Sequence, residues 1–134
     1  MNTGTPETFL AANPDGLRLL LNHLPQGLLI LDQDRICFTS QTLLTLVGLT
    51  DAETLLHQHW EQLIDDESRQ AMKNALSALR SKVRNNNPIE LILQSSSEKR
   101  LYCEATFALA AVADTELTLI SLRDITAQKH QEQQ

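Results

Sequence analysis

The side chains in this chain that could carry chemistry are two cysteines, four histidines, a run of acids and one tryptophan. Cys37 and Cys103 are too few for a disulfide scaffold and read as small apolar thiols of a reduced protein. His57 and His59 stand two residues apart. On a helix such positions point roughly 160° apart, whereas paired helical ligands sit at i and i+3 or i+4. They make a poor metal pair, and no metal site is expected. His23 and His130 lie near expected helix ends. Asp65, Asp66 and Glu67 form an acidic run, but acids at a helix start are explained by the helix dipole. No Ser-His-Asp arrangement has the strand and turn context of a hydrolase, and no glycine-rich phosphate loop is present. Trp60 reads as a core residue before it reads as a ligand platform. The chain therefore points to a noncatalytic module. A small α+β cone enzyme, such as an isomerase or thioesterase, is the alternative, with the 65–67 acids as its only candidates.

The elements that would position these residues follow from size and pattern. At 134 residues the chain fits one compact domain that buries its own core. Hydrophobic residues make up 42% and aromatics only 4%, so the core must be mainly aliphatic. A net charge of −6 argues against nucleic acid and against an anionic membrane surface. No apolar run approaches the roughly 20 residues of a spanning helix, and no signal peptide opens the chain. A cytoplasmic location is expected, with Met1 placing the domain at the start of its parent.

Asn13-Pro14-Asp15 is a helix start, and Leu17, Leu20, Leu21 and Leu24 follow at helical spacing until Pro25. That stripe must pack on this domain or on a partner chain. Leu28 to Leu31 reads as a buried strand, Asp32-Gln33-Asp34 as a turn, and Arg35 to Thr39 as a second strand with Ile36 and Phe38 on one face. Gln41 to Val47 reads as a helix closed by Gly48. Thr50 and Glu53 have capping-box spacing, which predicts a helix from about Asp51 to His57. Trp60 to Ile64 adds a turn. Asp65-Asp66 then caps the longest helix, striped by Met72, Ala75, Leu76, Leu79 and Val83. Asn85-Asn86-Asn87-Pro88 ends it. Period-two patterns at Ile89–Leu93, Leu101–Leu109 and Leu117–Arg123 predict three more strands. Thr126 to Gln134 is a polar, helix-forming tail. Strands at both ends with helices between give an α+β fold, an antiparallel sheet covered on one face.

Leu24-Pro25-Gln26-Gly27 with a following apolar strand and Asp32, then Phe38-Thr39-Ser40 with Leu43, Leu44 and Gly48, and finally Arg123-Asp124-Ile125-Thr126, resemble in order and spacing the PAS (sensory box) family. The resemblance covers about Leu20 to Lys129. The chain departs from it at Ser40, where many members carry Asn. Asp65-Asp66-Glu67-Ser68 stands where many have His-Pro-x-Asp. The resemblance implies a five-stranded antiparallel sheet with helices on one face, an N-terminal flanking helix over 1–23, a sensor domain over 24–125 and an exit helix from 126 to 134. It implies a pocket drawing on Phe38, Ser40, Trp60, Met72, Leu76 and Phe107, where Met72 and Leu76 either line the space or fill it. It implies a signal relay through Asp124, Ile125 and Thr126, with Thr126 able to cap the exit helix. Homodimerisation would run through Leu17, Leu20, Leu21 and Leu24, and a histidine kinase or diguanylate cyclase would follow in the same chain. The ligand is left open. The Gly-x-Asn-Cys-Arg segment that flavin-cysteinyl adduct chemistry requires is missing. Haem is disfavoured because Asp66 to Arg84 contains no histidine. Cys37 and Cys103 would fall on strands that are not neighbours, which speaks against a disulfide.

Overall fold

A computed structural model describes residues 26–81, 87–95 and 100–132. Five strands form one sheet: β1 Gly27–Asp32, β2 Arg35–Thr39, β3 Ile89–Leu93, β4 Leu101–Val112 and β5 Thr115–Asp124. Their order is β2-β1-β5-β4-β3, and every neighbouring pair is antiparallel. Helix α1 spans Gln41–Val47, α2 spans Arg69–Arg80 and α3 spans Thr126–Glu132. Cys37 and Cys103 are both free thiols, on β2 and β4, with β1 and β5 between them.

The alternating pattern of the strands divides the sheet into two faces. Leu29, Leu31, Leu91, Leu93, Ile120 and Leu122 are buried on one face, and α1 and α2 supply Leu43, Leu44, Val47, Met72 and Leu76 to the same core. Trp60, Leu63 and Ile64 fill the rest from a 3₁₀ turn at Trp60–Gln62 and the residues after it. Gly27 is where α1 comes closest to the sheet. A Cβ there would lie 3.1 Å from the Leu43 Cβ.

Turn chemistry fixes the hairpins. Gln33 sits in the left-handed region at φ 58°, in the two-residue turn that follows Asp32. Ala113 and Asp114 are both left-handed, at φ 48° and 67°, as a two-residue turn with the twist of its strands demands. The sheet's two edges are partly paired by the connecting segment. His57 donates its backbone N–H to Ile36 O at 2.7 Å on β2, and Asp65 donates to Ile92 O at 2.7 Å on β3. Ser68 Oγ accepts from Ile92 N–H on that same edge. Edges occupied in this way are poor templates for another strand.

Three local expectations change. The helix expected over 51–57 is a 3₁₀ turn, Ala52–Thr54, and Asp51 rather than Thr50 caps it by accepting from Glu53 N–H. The chain must leave that turn early because His57 is pulled back to pair with Ile36. The acids expected to cap the long helix sit one turn earlier. Asp65 caps a separate 3₁₀ turn, Asp66–Ser68, from which α2 continues. Finally, Ile36 and Phe38 do not share a face. A register shift between Ile30 and Leu31 pairs Leu31 with Ile36 but Ile30 with Phe38. The extra residue, Cys37, turns Phe38 to the face opposite the core, and Thr39 takes the buried place instead.

Candidate functional site

The residues expected to line one pocket do not all converge: only Trp60 and Leu76 meet, at the wall of a recess of about 470 Å³ that also takes in His59, Lys73 and Arg80. Trp60, Met72 and Leu76 are packed in the core, at 2%, 0% and 2% exposure. They fill the space. Ser40 is fully buried and holds the fold together: its Oγ accepts from Leu28 N–H at 2.9 Å and from Leu43 N–H at 3.3 Å, capping α1. Phe38 faces the other side of the sheet and borders a recess of about 220 Å³ beside Thr39, Leu44 and Leu56. Phe107 alone of the six opens onto a groove between α2 and the sheet, about 310 Å³ in volume.

That groove has a simple origin. Phe107 pairs with Ile120 on the core face, and Ile89 reaches the same face from β3. Above them α2 presents Ala71, Ala75 and Ala78 at i, i+4 and i+7, with Leu79 beside them. Helical positions with that spacing share a face, and alanines there leave space that larger side chains would occupy. Among the described residues of the lining, Asn74 and Asn87 are the polar members, and none carries a charge or an imidazole. The wall suits a small, uncharged, largely apolar molecule held by one or two amide contacts. Of the three alanines only Ala75 belongs to the stripe expected from the sequence. What was not visible was that the stripe is wider than the core beneath it.

The exit from the sheet is built by hydrogen bonds. Ile125 is buried, and its N–H donates to Tyr102 O at 2.8 Å. Asp124 Oδ1 accepts from Thr126 N–H at 2.9 Å. Thr126 Oγ1 accepts from Tyr102 N–H at 3.0 Å, so this hydroxyl ties α3 to β4 instead of capping its own helix. One turn later Lys129 Nζ lies 2.8 Å from Glu90 Oε2 on β3. Cys103, paired in register with Asp124, is fully buried, and burial followed by the Asp124 charge pushes its thiol up to about 12. Burial and then Asp32 also raise the thiol of Cys37, which is exposed on its strand.

The 65–67 acids are turned away from the groove. Asp65 and Glu67 pair with Arg100, and Asp66 pairs with Arg69. His59 Nδ1 accepts from Glu61 N–H and so caps its 3₁₀ turn, while His57 is exposed at φ 68°. Among the described residues no group of three or more His, Cys, Asp or Glu could hold a metal ion. No described helix is long and apolar enough to cross a membrane. Leu17, Leu20, Leu21 and Leu24 lie outside the described residues.

Comparison with known proteins agrees with this geometry. A PAS domain family model matches residues 25–127. Among solved structures, a PAS domain from a two-component sensor histidine kinase superposes with a TM-score of 0.69 at 13% identity, covering 85% of this chain and 97% of that one. The PAS domain of an HTR-like protein from Haloarcula marismortui gives 0.70 at 18% identity, covering 89% and 97%. The PAS domain of nitrogen regulation protein NR(II) from Vibrio parahaemolyticus gives 0.59 at 19% identity, covering 81% and 97%. At these identities the likeness is one of fold. No curated protein matches the chain.

Proposed function

The chain belongs to the PAS domain family, and on that premise we propose that it is a noncatalytic sensory input module. Its α2 groove takes a small uncharged molecule, and its exit helix relays occupancy to an output domain that follows in the parent protein. The observation that carries this reading is the adjacency of groove and exit. Ile89 lines the groove, and Glu90, the next residue of β3, holds Lys129 of α3 on the opposite face of the sheet. A molecule that shifts β3 by a fraction of an ångström acts on both at once, because neighbouring strand residues move together while facing opposite ways. Asp124, Ile125 and Thr126 carry the same movement through β4.

A histidine kinase is the output favoured over a diguanylate cyclase, since one of the similar folds comes from a two-component sensor histidine kinase. The module works in the cytoplasm, as a homodimer paired through the N-terminal segment that carries Leu17, Leu20, Leu21 and Leu24. The test has two parts. Absorption spectra and native mass spectrometry of freshly purified protein report whether a molecule co-purifies. Hydrogen exchange over Thr126–Glu132 is then compared between wild type and Ala78→Trp, which fills the groove. Altered exchange in α3 supports the relay. Exchange in α3 identical to wild type, in a variant that folds normally, refutes it.

A further inference from the structure

The two edges of the sheet carry separate openings. The α2 groove draws on Ile89 at the β3 edge, whereas the recess of about 220 Å³ lies at the β2 edge, with the width of the sheet between them. The extra residue at Cys37 leaves Cys37, Phe38 and Thr39 all on the wall of that recess. Helix α1, which starts directly after the strand, supplies Leu44. The segment returning to β2 supplies Leu56, held by its N–H on Ala52 O at 3.0 Å and by the neighbouring bond from His57 to Ile36. Two polar groups on this wall are not used up by the fold. Thr39 is 6% exposed, and its Oγ1 is the one buried side-chain oxygen or nitrogen among the described residues that has no hydrogen-bond partner. A buried hydroxyl left in this way is destabilising, because it has lost its hydration and gained nothing. At the exposed rim, Asp51 Oδ1 accepts from Glu53 N–H at 2.9 Å, while Oδ2 has no partner among the described residues. Asp51 is also the only charged group among the described residues of the lining, since the Cys37 thiol, raised by burial and then by Asp32, stays neutral at neutral pH.

We propose that this recess is a binding site, separate from the α2 groove, for a short aliphatic amino alcohol. The protonated amine meets Asp51 Oδ2 at the rim, where ammonium and carboxylate form a charge-assisted hydrogen bond. The ligand's hydroxyl reaches Thr39 Oγ1 at the inner end. A hydroxyl both donates and accepts, so each of the two satisfies the other. The short chain between them lies on Phe38, Leu44 and Leu56. Other ligand classes fit less well. Pockets for drug-sized molecules begin near about 300 Å³, so this recess takes something smaller. An anion would face a carboxylate with no cation among the described residues of the lining, in a chain of net charge −6. A wholly apolar molecule would leave the Thr39 hydroxyl unpaired. The inference needs neither a ligand in the α2 groove nor an output domain, so its failure leaves the sensory reading untouched.

The test uses the full chain, with the exposed Cys37 thiol as reporter on the recess wall and Cys103 buried and silent. The rate at which iodoacetamide, a neutral reagent, modifies Cys37 is followed with aminopropanol, propylamine or propanol at fixed pH and ionic strength. Aminopropanol at millimolar concentration should slow the reaction several-fold. Propylamine should need a several-fold higher concentration, and propanol a higher one still. Methyl signals of Leu44 and Leu56 should shift with the same concentration dependence as the protection. Thr39→Val keeps the shape of the side chain and removes a hydroxyl that makes no bond in the fold; it should abolish the advantage of aminopropanol over propylamine. Asp51→Asn keeps the cap and removes the charge, and it should abolish the advantage over propanol. No protection with no methyl shift overturns the proposal. An order of the three compounds unchanged in either variant also overturns it. So does a shift confined to Ile89 and Ala78, which would place the amine in the α2 groove.

Discussion

Replacing Ser40 by Ala tests how the start of the fold is fastened. The Ser40 hydroxyl accepts from two backbone donors, Leu28 N–H at 2.9 Å and Leu43 N–H at 3.3 Å. It also sits in a fully buried position, where water cannot replace it. Loss of an N-cap costs about 1 kcal/mol. Leaving the Leu28 amide without its acceptor costs about 1–3 kcal/mol more. Together these predict a loss of about 2–4 kcal/mol, a large share of the stability of a domain this size. The melting temperature should fall by roughly 8–16 °C. Urea unfolding followed by the fluorescence of Trp60, the sole tryptophan and a core residue, measures the change directly. The midpoint should fall with the slope unchanged. Ser40→Asn keeps a side-chain acceptor and should lose less. A loss below about 0.5 kcal/mol for Ser40→Ala would show that these bonds contribute little. If ligand binding fell while stability held, Ser40 would belong to a site after all.

Three further outcomes follow from the packing. Gly27→Ala should cost about 1–3 kcal/mol in the same unfolding assay, because its Cβ would press on Leu43 from 3.1 Å; a neutral effect would mean that α1 can slide away from the sheet. In the folded protein at pH 8 a thiol reagent should modify Cys37 alone, and slowly, since burial and Asp32 raise its thiol; both cysteines should react in denaturant. The neutral Cys103 thiol is favoured in the folded state, pushed up to about 12, so its contribution is intact below the unfolded value near 9 and is lost as pH rises from there toward 12. A unit slope of stability against pH across that window should vanish in Cys103→Ala. Glu90→Gln should change global stability by no more than about 1 kcal/mol, as expected for a partly exposed ion pair, yet speed hydrogen exchange in α3. The charge-swapped pair Glu90→Lys with Lys129→Glu should restore it, and failure to do so would remove the ion pair as the fastening of the exit helix.

The order of elements was legible from local signals. Apolar alternation at Ile89–Leu93 and Leu117–Arg123, the glycine after Val47 and the short runs Leu24-Pro25-Gln26-Gly27 and Asp124-Ile125-Thr126 each depend on residues a few positions apart. Each such signal is set by backbone geometry and by which face a side chain takes. For the same reason the α+β architecture and the buried places of Met72, Leu76 and Trp60 could be anticipated. The candidate site could not, because it depends on contacts between segments distant in sequence. One extra residue at Cys37 reverses the face of Phe38, and only pairing with β1 reveals it. Thr126 looked like a helix cap, but Tyr102, 24 residues away, takes its hydroxyl. Ala75 reads from the sequence as part of a core stripe, and only with Phe107 and Ile89 set beneath it and Ala71 and Ala78 beside it does a groove open there. Periodicity determines which side of an element is apolar. Tertiary structure decides whether that side is filled, left open or covered by another part of the chain, because packing depends on the shapes of both surfaces that meet.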